Sequence, residues 1–393
     1  MDGSGVIPKN EIAEAYEALT RPLGVAEGLP GRFYGEDFYR IEQERLFPRT
    51  WCAVAFASQL PEPGDMKPID LAGWPILVLR DRDGEIRAFH NICRHRCIRL
   101  VTEPAHRSLI RCPWHSWAFG LDGALVATPD LGGANISEAE GFDRSQLGLK
   151  PIRVGRWLDY VFVSLDDEGP SFESYIAPTK ALLADYELEH LIATDQIKDV
   201  YEGNWKIAME GGLEHYHLTF AHPHLSADRF RNAAPCFAPG SYAGSYVDMS
   251  KRTSGEDTDP AFNARLPRLR TRDGGPLPKL YTLNIFPTGT MLVVAERIML
   301  GVMLPEGPYR TNFELNYYVQ PEAANDPATA KARKDTVDSS YLTMTQDQPF
   351  VKEVQATSFT RDRSGVGVRF SPYWEDGVRR FQQLVLEALD SPS

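Results

Sequence analysis

The spacing of hydrophobic positions changes character three times along the chain. Ile12, Ala15 and Leu19 recur at helical spacing and predict a helix over residues 10–24 that ends near Pro22. Phe38 to Phe47 predicts a second short helix, with Glu42, Glu44 and Arg45 on its wet side and Pro48 breaking it. From Thr50 to Ser164 the text becomes strand-like, in runs such as Trp51–Phe56, Ile76–Arg80, Ile86–Phe89, Leu109–Arg111 and Trp157–Ser164. Turn signals at Pro63-Gly64-Asp65, Asp83-Gly84 and Asp122-Gly123 separate these runs. Beyond Asp166 the period mixes. Phe172 to Tyr186 reads as partly helical, Tyr201 to Ala221 as helical, and residues 279–320 as a meander in one antiparallel sheet. Residues 229–279, rich in Gly, Pro, Asp and Arg, read as a lid or interface loop. Val378, Phe381, Val385 and Leu389 mark a C-terminal amphipathic helix. The pattern predicts an α+β chain in which a β-domain precedes a helix-on-sheet domain.

Two clusters of chemistry sit on this pattern. In the first, Cys93 and His95 are one residue apart, Cys112 and His115 two apart, and sixteen residues lie between the pairs. Two thiols and two imidazoles from two short loops form a four-ligand set, which zinc would accept as readily as iron. Zinc ribbons normally place like ligands side by side, whereas a Rieske 2Fe-2S centre takes one Cys and one His from each loop. Both pairs here are mixed. In the second cluster, Glu210, Glu214 and His217 are spaced four and three apart, so a helix would put them on one face. His222 follows five residues later and joins His217 only where the helix stops, as Pro223 predicts. Two imidazoles on that turn plus one distant carboxylate make the facial triad of non-haem Fe(II) oxygenases. His215 and His224 fall off this spacing and read as solvent-exposed or supporting residues.

These two motifs, Cys-x-His-Arg followed by Cys-x-x-His-x-Trp and Asn204-Trp-Lys followed by Glu214-His-Tyr-His217-x(4)-His222, resemble those of the Rieske non-haem iron oxygenases, in their terminal oxygenase alpha subunits. The resemblance implies a Rieske cluster held by Cys93, His95, Cys112 and His115, and a mononuclear Fe(II) held by His217, His222 and a downstream acid. Asp347-Gln-Pro-Phe-Val-Lys-Glu-Val-Gln fits the family's form and makes Asp347 the third ligand, ahead of Glu353. It also implies that Glu214 links His217 to the second Rieske histidine, His115, of a neighbouring subunit, and hence a homotrimer. The chain departs from the family where Cys97 and Ser116 stand at customary glycines, Trp114 at a customary Tyr, and Glu210 at a position that is often Asn. Glu at position 214 resembles the choline and carnitine monooxygenase branch. The implied domains are an N-terminal helical arm over 1–47 on the catalytic domain, an all-β Rieske domain over 48–165, and a helix-grip, START-like catalytic domain over 166–393.

Composition adds exclusions. A net charge of −12 with no basic stripe argues against nucleic acid as partner. Five cysteines, an odd number, favour reduced thiols and a cytoplasmic setting, and no apolar run is long enough to span a bilayer. The opening residues lack a signal-peptide pattern. No GxGxxG segment is present to seat a nucleotide. NAD(P)H electrons are therefore expected through a separate flavin reductase, a ferredoxin or both, and the family also allows a small beta subunit. The expected reaction is O2-dependent hydroxylation, dihydroxylation or oxidative demethylation of a small organic molecule. An aromatic substrate is the first expectation, on Leu213, Phe220, Leu283, Phe286, Met291 and Val293 as candidate pocket walls. A quaternary ammonium compound of choline, carnitine or betaine type is the alternative. A Rieske electron carrier without oxygenase activity would have no use for the second motif.

Overall fold

A computed structural model describes residues 9–225, 232–251 and 266–390. The chain divides into two compact units, one formed by residues 53–169 and the other by residues up to 52 together with those from 170 on.

The smaller unit is β-rich. Its strands are β1 (Cys52–Phe56), β2 (Asp65–Leu71), β3 (Trp74–Arg80), β4 (Ile86–His90), β5 (Ala105–His106), β6 (Ile110–Arg111), β7 (Ala118–Phe119), β8 (Leu125–Ala127), β9 (Pro151–Trp157) and β10 (Tyr160–Ser164). Among the described residues they form a sheet ordered β1-β10-β9-β4-β3-β2-β5 and a small sheet β6-β7-β8. A buried cluster that includes Leu77, Phe89, Ile110, Trp117 and Phe119 also contains Cys93 and Cys112, so the two thiols are part of the core that fixes their loops.

The larger unit opens with α1 (Lys9–Thr20) and α2 (Glu36–Ile41), the latter running on as a wider turn over Glu42–Leu46. Glu42 is not on a wet face: it is fully buried against Lys206 at 2.5 Å and accepts from Trp205 Nε1 at 3.0 Å. After α3 (Phe172–Leu182) come β11 (Ile192–Tyr201), α4 (Trp205–Gly211), α5 (Leu218–Ala221), β12 (Ala233–Ala238) and β13 (Tyr242–Asp248). The meander continues as β14 (Lys279–Ile285), β15 (Gly289–Val294), β16 (Arg297–Gly307) and β17 (Arg310–Val319). All neighbours are antiparallel in the order β11-β17-β16-β15-β14-β13-β12. Part of the expected lid over 229–279 is thus the edge hairpin β12–β13, while residues 229–231 and 252–265 of it lie outside the described residues.

Three helices close the chain: α6 (Pro321–Ala324), the long α7 (Ala330–Arg361) and α8 (Asp376–Asp390). The whole apolar stripe of α8, Val378, Phe381, Val385 and Leu389, is buried, and the helix packs on β12 and β13. α7 packs on β11, and α4 on β16 and β17. This α+β architecture grips the sheet with helices and leaves a gap between β14–β17 and α7. No helix among the described residues is long and apolar enough to cross a membrane.

Candidate iron centres and the active-site cavity

The loops after β4 and after β6 fold alike. The Cys93 carbonyl accepts from the Cys97 N–H at 3.0 Å, and the Cys93 N–H donates to Ile98 O at 2.8 Å. In the second loop the Cys112 carbonyl accepts from the Ser116 N–H at 3.1 Å, and the Cys112 N–H donates to Trp117 O at 2.8 Å. The residue that closes each turn is left-handed, with φ of 57° at Cys97 and 58° at Ser116. That geometry explains why glycine is the natural occupant. Cys97 itself is exposed.

Each loop thereby tucks its thiol inward and holds its imidazole outward. Cys93 and Cys112 are each 1% exposed, while His95 and His115 are exposed, with ring centroids 4.6 Å apart. Trp117 stacks on His95 at 4.7 Å and 11°, which fixes that ring. Burial, and the neighbouring Cys112, push the Cys93 thiol above its usual range, so a thiolate there needs the positive charge of a metal. Two inner sulfurs and two outer nitrogens fit a 2Fe-2S cluster with one iron per ligand type.

The second centre lies in the larger unit. The helix predicted through Glu214 breaks instead: α4 stops at Gly211, Glu214 lies in the link, and α5 begins after His217 and ends at His222. Glu214 Oε2 accepts from the His217 N–H at 3.2 Å and from the Tyr216 N–H, and Oε1 meets His217 Nδ1. The carboxylate therefore organises the link that the expected helix would have supplied. Glu210 stays behind on α4, partly buried, accepting from Tyr34 Oη and from Gln382 Nε2 at 2.9 Å each.

His217, His222 and Asp347 offer ligand atoms that all lie within 4.8 Å of one another. Asp347 Oδ1 is 3.0 Å from His222 Nε2 and 3.8 Å from His217 Nε2. His222 Nε2 is buried and, despite that short distance, has no partner in hydrogen-bonding geometry, as expected of an atom shaped for a metal. Burial resists charging of His222, but Asp347 and then Gln346 more than offset it, so the ring is held above the usual histidine value. Gln346 Oε1 accepts from His222 Nδ1 at 2.8 Å, which leaves Nε2 free to bind iron. Sequence reasoning missed Gln346; its only signal is being next to Asp347. Asp347 comes from the middle of α7. His215, expected to be solvent-exposed or supporting, is buried at 8% exposure and near Ser245 Oγ at 3.5 Å, and burial lowers its pKa to about 4. His224 Nε2 meets Thr343 Oγ1 at 3.1 Å.

A cavity of about 250 Å³ extends from His217 and Asp347 between the sheet and α7. Tyr201 and Phe313 line it, their rings stacked at 5.2 Å and 26°, with Met299 and Met303 along the floor. Burial, then the charges of Asp347 and Asp199, hold the Tyr201 phenol protonated far above its usual value. Of the apolar walls expected from sequence, Met291 lines the cavity. Phe220 is 77% exposed, and Leu213, Leu283, Phe286 and Val293 are buried in the core. Strand alternation gives the cavity Thr282 and Leu292, the neighbours of Leu283 and Val293.

A family model for the ring hydroxylating alpha subunit (catalytic domain) matches residues 183–391, and one for the Rieske [2Fe-2S] domain matches residues 50–138. Over 220 residues the chain is 34% identical to the glycine betaine monooxygenase oxygenase subunit of Chromohalobacter salexigens, covering 54% of this chain and 48% of that protein. Over 225 residues it is 32% identical to the carnitine monooxygenase oxygenase subunit of Escherichia coli (strain K12), covering 56% of this chain and 57% of that one. The chain thus spans about half the length of the curated relatives it matches. In fold it is similar to a quaternary ammonium Rieske monooxygenase solved with an inhibitor, at a TM-score of 0.76 and 22% identity over 98% of this chain and 99% of that one. It is likewise similar to naphthalene 1,2-dioxygenase from Rhodococcus sp. bound to indole, at a TM-score of 0.78 and 17% identity over the same shares. With a Rieske [2Fe-2S] domain ahead of a catalytic domain that brings two histidines and an aspartate together, the chain belongs to the Rieske non-haem iron oxygenases, as an alpha subunit.

Proposed function

We propose that the chain is a terminal oxygenase that uses O2 and electrons from a separate NAD(P)H reductase to oxidise a quaternary ammonium compound. The observation that carries this reading is the lining of the cavity beside the triad: the stacked rings of Tyr201 and Phe313 and the carboxylates of Glu214 and Asp347 all line it. Aromatic faces and carboxylates together favour a cation that carries its charge inside methyl groups and donates no hydrogen bond. The curated relatives named above act, by their names, on glycine betaine and carnitine. The arene expected first from the sequence has less behind it, since the naphthalene enzyme shares the fold at 17% identity.

In this reading Cys93, His95, Cys112 and His115 hold the cluster, and His217, His222 and Asp347 hold the iron. The two centres supply stored electrons and O2 activation when bound. The protein's own groups do the rest. Glu214 and Gln346 take the outer nitrogens of His217 and His222, so that each ring presents Nε2 to the metal. Tyr201, buried and protonated, closes the wall beside Asp347. Glu214 also connects His217 to His115 of a neighbouring subunit in the homotrimer this reading requires.

The test is O2 uptake and product analysis with a surrogate reductase across quaternary ammonium compounds, arenes and aromatic acids. Uptake matched by product from an ammonium compound is expected; turnover of arenes alone overturns the reading. Asp347→Ala is expected to abolish product while the cluster's visible spectrum stays.

A further inference from the structure

Half of the chain's eight methionines, Met291, Met299, Met303 and Met344, line the cavity beside the metal triad. Met299 and Met303 are among the alternate residues of β16 that share its cavity face. Met344 comes from α7, three residues before Asp347 and on the same side of the helix, about 4.5 Å away along its axis. Met303 pairs in register with Phe313, whose ring stacks on Tyr201, the phenol that feels the charge of Asp347. Met291 is fully buried and pairs with Leu283 and Leu300 on the other face of the sheet.

Met303 and Met344 are half-buried. Met299 is 7% exposed and its sulfur is held, with Ser340 Oγ donating to Met299 Sδ at 3.8 Å. Neither cysteine nor tryptophan occurs among the described lining residues, so the thioethers are the groups there most readily oxidised by two electrons. The other described methionines lie elsewhere. Met66 in the smaller unit and Met209 on α4 are 1% and 3% exposed, and Met249 is half-buried on the turn after β13. An oxygenase generates an oxidant in the very space the first group lines. Two electrons and two protons that reach O2 with no substrate to oxidise leave as hydrogen peroxide.

We propose that Met303 and Met344 are modification sites, oxidised in place to sulfoxides by hydrogen peroxide released in the cavity, and that this lowers turnover. The thioether sulfur takes one peroxide oxygen and gives up two electrons; the O–O bond breaks, and the other oxygen leaves with both hydrogens as water. A sulfoxide sets a polar S=O on a wall that also carries Leu292, Phe313 and Leu315, which weakens the hold on a substrate's apolar face. Both sulfoxide epimers are enzymatically reducible, so the block is reversible. None of this depends on which substrate the cavity takes, and it stands even if the quaternary ammonium reading falls.

The test is uncoupled turnover of the holoenzyme with a surrogate reductase, NADH, isotopically labelled O2 and catalase, read by peptide mass spectrometry. Heavy oxygen is expected in sulfoxides of Met303 and Met344, later and less in Met299, and in neither Met66 nor Met209. Catalase destroys peroxide only once it has left the cavity, so it is expected to protect Met249 and not Met303 or Met344. Turnover of whichever compound drives O2 uptake fastest is then expected to be lowered in step with the label. Treatment with the pair of methionine sulfoxide reductases, one for each epimer, is expected to restore it. In the double variant Met303→Leu, Met344→Leu, which nearly conserves volume, the loss is expected to be at least about threefold slower. O2 consumption that leaves Met303 and Met344 unlabelled, a label that catalase abolishes, or turnover unaffected by the label overturns the proposal. So does a holoenzyme that passes no electrons to O2, since it makes no oxidant. Should the double variant fail to fold, reductase rescue of the labelled wild-type protein decides, and its absence overturns the proposal.

Discussion

Glu214 grips His217 at two points: one carboxylate oxygen meets the ring at Nδ1 and the other accepts the backbone N–H of the same residue at 3.2 Å. The ring is therefore oriented by the same group that starts α5. Glu214→Ala is expected to lower iron affinity or turnover by about 10–100-fold, with Glu214→Gln retaining more of both. Iron content after gel filtration, read beside turnover, checks this. Full iron loading and full activity in Glu214→Ala would mean the contact is incidental.

Cys97 and Ser116 hold left-handed turns that glycine adopts freely. Cys97→Gly is expected to stabilise the smaller unit by about 1 kcal/mol by removing that strain, while the cluster's absorbance is kept. Thermal bleaching of the visible spectrum reads it, and a lower bleaching temperature would contradict it.

Burial holds the Glu210 carboxyl above its usual value, with hydrogen bonds from Gln382 and Tyr34 offsetting only part. The folded protein therefore binds this proton more tightly than the unfolded chain. Its stabilising effect is complete below the unfolded value of about 4.5 and is lost as pH rises through the folded value. Glu210→Gln keeps the acceptor oxygen and cannot ionise. It is expected to flatten the fall in stability towards alkaline pH, as measured by melting temperature across a pH series. A steeper fall in the variant would refute it.

Lys206 and Glu42 form an ion pair with both side chains fully buried. Lys206→Met leaves a buried carboxylate alone and is expected to cost about 3–5 kcal/mol. Adding Glu42→Gln, which still accepts from Trp205 Nε1, is expected to recover a large share of that loss. Denaturant titration of the single and double variants checks the cycle. Additive losses would show that the pair is not coupled.

What was readable in advance follows from how local each signal is. Cys93, His95, Cys112 and His115 sit on two short loops, and His217 and His222 on one, so their spacing displays the chemistry directly. The meander over β14–β17 and the stripe of α8 were legible for the same reason. Asp347 was reachable only through resemblance, because α7 has no apolar stripe to announce it and carries Pro349 inside. Glu42 looked wet on its own helix and is buried only because Lys206, far along the chain, meets it. Arg297, Met299 and Met303 follow simple strand alternation, but nothing in that alternation says which face looks into a cavity. The broken link at Glu214 was hidden by an apparently helical spacing that a carboxylate-backbone contact overrides.

Because α7 bears both the metal's acid at Asp347 and the cavity wall at Ser340 and Thr343, it behaves as a single ruler laid along the site. A substitution that slides or tilts that ruler alters chemistry and recognition at once. The facing strand residues Met299, Gly301, Met303 and Leu315 carry no such double duty. New substrate lengths are most readily selected there, on the sheet, with the helix left alone.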